Sequence, residues 1–228
     1  MQLSDYTKKL LENYVSINGG IVIRKTPEGE TKTLLRTIDR NQLLYSQSLI
    51  PETFNVNVSL HDLKAFLNVV SGFTNPEITL HDTHLIVSEG SSAVKLVYAE
   101  PNMITHPQKP FVQPAEDFSF ELKQDVLAKV LNFSNILSLP HLRVFNNAGT
   151  LVLQTLDRSN PDTNTYDMEV GTVDPATNID VYFKRELIKM VPGDYKVSVN
   201  TKTAATFTNL VDENLIYFVA LDIVRNVV

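Results

Sequence analysis

Apolar positions along this 228-residue chain switch repeatedly from helical to strand spacing. Leu3, Thr7, Leu10, Leu11 and Tyr14 recur every three or four residues, which predicts a helix over 4–15. Leu60, Leu63, Phe66, Leu67 and Val70 do the same over 59–73, with Ser59 as N-cap and Asp62 reaching back to it. A third face, Leu122, Val126, Val130 and Leu131, predicts a helix over 122–138. A shorter fourth helix is expected over 183–190, stopped by Pro192-Gly193. Between these lie period-two stretches at 20–25, 33–38, 43–49, 54–58, 78–80, 85–87 and 93–98. Their counterparts later in the chain are 118–122, 142–145, 151–156, 166–171, 179–183, 195–200, 204–208 and 216–221.

The order helix, strands, helix, strands therefore occurs twice. Pro101, Pro107, Pro110 and Pro114 interrupt it between the two occurrences. Proline at that density disfavours helix and central strand and leaves an extended connector. The expected organisation is a domain over 1–100, a connector over 101–117 and a second, similar domain over 118–228. The fold class is α+β: two helices covering antiparallel sheets in each domain, with short hairpins. A unit repeated in this way stacks symmetrically, which favours rings and solenoids over pockets.

Composition narrows the function. Hydrophobic residues make up 43% of the chain, enough for a core, and no run of eighteen apolar residues is present, so no membrane span is expected. The start, Met1 to Asp5, lacks a basic and an apolar region, so no secretion signal is read there. The chain has no cysteine, which excludes disulfides and thiolate metal sites. No nucleophile elbow, phosphate loop or dinucleotide fingerprint occurs, and Asn18-Gly19-Gly20 reads as a turn. His81 and His84 have ligand-like spacing but only Asp82 beside them, so no metal and no cofactor is expected. The acids of 157–180 read as a solvated surface, and the chain is expected not to be an enzyme.

Net charge is −6, but it is segregated. Segments 20–45 and 180–202 together hold ten bases and six acids; the rest of the chain holds ten bases and twenty acids. Solvated faces are the plainer reading of charge alone, yet one basic surface on an acidic protein is allowed. The helices point the second way. Opposite their apolar faces stand Lys8 and Lys9, then Lys64, then Lys123, Lys129 and Asn132, then Lys184, Arg185 and Lys189. A surface built from these faces would touch phosphates without reading bases. Asp5 and Glu12 offset the first pair.

Three stretches carry a resemblance. Met1–Ser4 through Leu10-Leu11-Glu12-Asn13 and Ile17-Asn18-Gly19-Gly20-Ile21 is one. His61-Asp62-Leu63-Lys64-Ala65-Phe66-Leu67 is the second. Met190-Val191-Pro192-Gly193-Asp194-Tyr195-Lys196 with Tyr217-Phe218-Val219-Ala220-Leu221 is the third. In order, spacing and length the chain resembles the sliding clamps of T-even-type bacteriophages, the processivity factors of their DNA polymerases.

The resemblance implies a head-to-tail homotrimeric ring around duplex DNA, helices inside and sheets outside. An ATP-dependent clamp loader would open it, DNA polymerase would tether to it, and late transcription would be assisted, all in the cytoplasm of the infected bacterium. The nine helical residues named above would face DNA, with Asp5, Glu12, Asn132 and Asn135 departing from the family's basic positions. By analogy with the clamp fold, Val94, Leu96 and Tyr98 would pair with Tyr166, Met168 and Val170 of a neighbouring subunit; core strands within one domain are the alternative. Met103, Ile104, Phe111, Val112, Ile223 and Val224 would line a pocket for partner peptides, or else pack the domains. A β-rich virion tail or tube protein and a hydrolase with dispersed acids are the rival readings. The duplicated halves and helix-borne bases favour the clamp over the first, and the missing nucleophile and acid-pair motifs disfavour the second.

Overall fold

The structure is a computed structural model, and it describes residues 1–160 and 162–223. The chain divides into two compact units, Met1–Pro110 and Phe111–Val228, so the stretch expected as a connector is shared between them.

The first unit opens with α1 (Asp5–Ile17), which begins because the Ser4 side chain accepts the Thr7 N–H. Thr7, Leu10, Leu11, Tyr14 and Ile17 bury one face of it. Strand β1 (Ile21–Ile23) follows, then the hairpin β2 (Thr33–Ile38) and β3 (Leu44–Ile50), then β4 (Val58–Leu60), which pairs with β1. Next come α2 (Leu63–Ser71) and the antiparallel sheet β5 (Glu77–Leu80), β6 (His84–Glu89) and β7 (Ser92–Val97), in that order. The expected helix start at Ser59 is corrected here. Val58, Ser59 and Leu60 are all buried, as a two-sided strand requires, and Asp62 is the N-cap, accepting from Ala65 N at 2.8 Å.

The second unit starts with β8 (Phe118–Leu122) and α3 (Gln124–Ile136), so Leu122 is a strand residue and not a helical one. Then follow β9 (His141–Asn147), β10 (Thr150–Leu156), β11 (Tyr166–Thr172), β12 (Asp180–Lys184), β13 (Tyr195–Val199), β14 (Ala204–Asn209) and β15 (Ile216–Ala220). One sheet runs β11-β10-β9-β12, and β8, β13, β14 and β15 pair in sequence in another, all antiparallel. The fourth helix expected over 183–190 is absent. Phe183 and Lys184 end β12, and only Arg185–Leu187 turns, as a single 3-10 turn. A segment this short between a strand and Pro192 cannot repay the cost of helix nucleation. Its β12 part gains ladder bonds to β9, with Phe183 opposite Leu142.

The Asn18-Gly19-Gly20 turn does more than reverse the chain. Asn18 caps α1 through its backbone N–H to Tyr14 O, and its Nδ2 donates to Ile38 O at 3.0 Å and Thr105 O at 2.6 Å. Gly20 leaves no room: a Cβ there would lie 2.9 Å from Leu60 O and 3.0 Å from His61 O, both backbone atoms that cannot swing aside. Gly20→Ala is therefore expected to cost about 1–3 kcal/mol by overpacking. A lowered urea midpoint with an unchanged slope is the measurement that checks it.

Candidate nucleic-acid interface and subunit edges

The helical cations are exposed, but most of them already have an anion. Lys8 Nζ lies 3.5 Å from Asp5 and Lys129 Nζ lies 3.7 Å from Asp125, each one turn away. Lys123 sits at the N-cap position of α3 between Glu121 at 3.2 Å and Asp194 at 3.3 Å. Hydrogen bonds to those two carboxylates hold the ammonium above its ordinary pKa. Asp194 in turn falls below the usual carboxylate range, first because it accepts the Gln124 N–H and then because of Lys123. Lys9, Lys64 and Asn132 are exposed on α1, α2 and α3. Acids on and beside the helices thus offset Lys8, Lys123 and Lys129, and leave the helical surface close to neutral.

The remaining three predicted residues stand on different elements than expected. Lys184 ends β12, Arg185 opens the 3-10 turn and Lys189 follows it. Arg185 Nη1 donates to Asn135 Oδ1 on α3, while its Nε is buried without a partner among the described residues. His141, Lys184 and Arg185 line a notch of about 200 Å³ with Pro140 and Glu186. The turn therefore presents bases beside α3, although no helix carries them.

The two strands expected at subunit contacts both end their sheets. In the first unit β7 is paired on one side only among the described residues, by β6. In the second, β11 is likewise paired on one side only among the described residues, by β10. Val94, Leu96 and Tyr98 lie on one face of the β7 segment and are half-buried; Lys95 and Val97 alternate with them, and Val97 is 70% exposed. On β11, half-buried Tyr166, Met168 and Val170 alternate with exposed Asp167 and Glu169. Sequence reading missed two neighbours of this edge. Phe133 on α3 stacks on Tyr166 at 4.1 Å, and Ile136, one turn on, is 64% exposed. Phe133, seven residues on from Val126, continues the Val126 and Val130 side, and that spacing was the available signal; Ile136 falls off it.

Tyr98 stands out electrostatically. Its hydroxyl is buried with no hydrogen-bond partner among the described residues, and burial, reinforced by Asp82, pushes its pKa up to about 12. The phenol is the acid form, so folding favours the neutral state. That contribution is complete below the unfolded value near 10 and is lost as pH rises from about 10 toward 12. Tyr98→Phe is expected to match or exceed wild-type stability at neutral pH, by up to ~1 kcal/mol, because it removes an unpaired buried hydroxyl. It should also flatten the alkaline fall above pH ~10, as read by thermal melts across pH.

The predicted peptide-pocket residues divide between the units. Ile104 is a core residue of the first unit, 3.1 Å from the position a Gly20 Cβ would take, which removes it from an open pocket; Met103 beside it is exposed. In the second unit Phe111 stacks on Phe218 at 3.5 Å, Val112 is 82% exposed and Ile223 is exposed. Val224 lies outside the described residues. Near Ile223, Arg158 donates to Asp222 O at 2.7 Å, caps the Tyr182 ring at 4.1 Å and lines a groove of about 410 Å³ with Asp180 and Thr201. Neither Arg158 nor Asp222 had a sequence signal.

This geometry, two units of helix-covered antiparallel sheet with open edge strands, has known counterparts. The structure superposes on the PCNA of A. fulgidus, solved with the C-terminal region of FEN-1, with a TM-score of 0.71 over 98% of both chains at 13% identity. The fold is that of a sliding clamp. Residues 119–223 match the family described as gp45 sliding clamp, C terminal. The chain is 28% identical to the sliding clamp of Vibrio phage KVP40, over 97% of this chain and 99% of that one. It is 24% identical to the sliding clamp of Enterobacteria phage T4, over 97% of each. The similarity to these phage sliding clamps runs along nearly the whole length of the chain.

Proposed function

We propose that this chain is a non-enzymatic sliding clamp and processivity factor. Three copies join head to tail into a ring around duplex DNA, in the cytoplasm of an infected bacterium. An ATP-dependent loader closes the ring on DNA, the replicative polymerase tethers to it, and the ring also assists late transcription. The observation that carries this reading is the pair of open edge strands, β7 and β11, in a chain whose fold is a clamp's throughout. Each edge leaves a row of backbone groups unsatisfied, and a neighbouring copy supplies what each lacks. The near-neutral helical surface suits the task, since encirclement holds DNA without tight phosphate contacts. A virion tube protein would have no use for such a surface.

The test is topological. With its loader and ATP, the protein should remain on circular DNA and leave when the circle is cut; equal retention on both forms defeats the reading. Lys9→Ala, Lys64→Ala and Lys184→Ala together remove up to three phosphate contacts without touching a buried group. They are expected to shorten residence on circles and to lower the slope of log affinity against log salt by about 0.9 per contact.

A further inference from the structure

The bases of segment 20–45 in the first unit stand on and around β1 and β2, and none of them is on a helix or on β7. α1 covers one face of the β2–β3 hairpin, where Tyr6 Oη and Tyr14 Oη reach Ser48 and Ser46. The opposite face sets Leu34 against Leu49 and Arg36 against Gln47. Leu34 is 41% exposed, an uncovered apolar residue on a strand otherwise well packed. Arg36 hydrogen-bonds Tyr45 across the hairpin. Thr26 and Thr33, the residues that follow Lys25 and Lys32, join their hydroxyls at 2.6 Å and close the intervening loop, which draws the two lysine-bearing ends of it together.

Charge at this face is uncompensated in a way the helices are not. Arg24, Lys25, Lys32 and Arg40 form no ion pair among the described residues, whereas Lys8, Lys123 and Lys129 each do. Asp39, the acid closest in sequence to Arg40, is occupied by the Asn41, Leu43 and Leu44 N–H groups of its own turn. The other acids of segment 20–45 are Glu28 and Glu30, in the loop.

We propose that the outer face of the β2–β3 hairpin is a docking surface for an acidic protein segment bearing an apolar side chain. The apolar group seats on Leu34 and Leu49, and the carboxylates face Lys25, Lys32 and Arg36. The apolar pair favours a peptide over nucleic acid, because a phosphate backbone has nothing to place there. Binding of this kind is weak and steered by charge.

Fluorescence anisotropy with three probes tests it: a short glutamate-rich peptide with a central leucine, the same peptide with lysines for the glutamates, and a short DNA duplex. The glutamate peptide should bind saturably to the wild-type chain and the lysine peptide should not. Lys25→Glu with Lys32→Glu should weaken the glutamate peptide about tenfold or more. Leu34→Ser alone should weaken it several-fold, and neither variant should change retention on circular DNA, which separates this outcome from failure of the clamp reading. The proposal is overturned if wild type and variants bind the peptide equally or not at all. It is also overturned if Leu34→Ser has no effect while charge reversal abolishes binding, which is charge attraction without a docking face. Preferential capture of the duplex, lost on charge reversal, would make the occupant nucleic acid and overturn it equally.

Discussion

Lys95→Glu with Val97→Glu should convert a particle three times the 25.6 kDa chain mass into a single chain, with the far-ultraviolet circular dichroism unchanged. Both side chains are exposed on β7, so neither substitution disturbs the core of the first unit. The effect falls on pairing with another copy. When β7 lies against a neighbour's β11, the alternation of each strand puts Val94 and Leu96 on the side of Met168 and Val170, and puts Lys95 on the side of Asp167 and Glu169. The substitutions replace an attraction with four like charges along one face of the new ladder. Charge on an edge is how monomeric proteins keep sheets apart. Light scattering or sedimentation reads the result directly. If the variant remains trimeric at wild-type dilution, β7 is not the contact strand, and the head-to-tail arrangement proposed above falls with it.

Glu52→Ala is expected to cost about 3 kcal/mol of stability in the first unit. Glu52 is almost fully buried; one carboxylate oxygen accepts the Ser4 N–H and the other accepts the Thr7 hydroxyl at 2.6 Å. Thr7 itself has no exposed surface. Removing the carboxylate orphans two donors at the start of α1 and withdraws an anion from the positive end of that helix. A bond to a charged group contributes about 1.5–3 kcal/mol, and losing two with some relaxation gives the stated figure. Thr7→Val should cost only about 1 kcal/mol, since Glu52 keeps its bond to Ser4. Urea titration followed by hydrogen exchange in α1 distinguishes local loosening from global loss.

Strand content was readable because half-buried strands alternate, and β2 and β8 fall on the residues their patterns indicate. β4 was placed too early, at 54–58, because Val58 to Leu60 is buried on both faces and alternates with nothing. That same run supplied the apolar residue that made Ser59 look like a helix cap. The 183–190 segment failed differently: Leu187 is its lone fully buried residue after β12, and a helix needs more than one anchor per turn. Among the site residues, the exposed lysines of α1, α2 and α3 were legible from helical spacing. Their anions were legible only within one turn, as with Lys129 and Asp125. Asp194, which joins Lys123 from the end of the adjacent strand where Tyr195 pairs with Leu122, belongs to tertiary structure and leaves no trace in local pattern. Ile104 shows the same limit, since burial beside Gly20 depends on a contact more than eighty residues away.

In the proposed ring, the lysines that already hold an aspartate or glutamate would set the friction of the inner wall. Each can exchange its own carboxylate for a passing phosphate and return, with almost equal energy in both states and no deep stop along the track. A duplex threaded past them would meet a series of shallow, interchangeable steps. Travel along the helix axis should therefore depend little on base sequence and slow only gently as ionic strength falls.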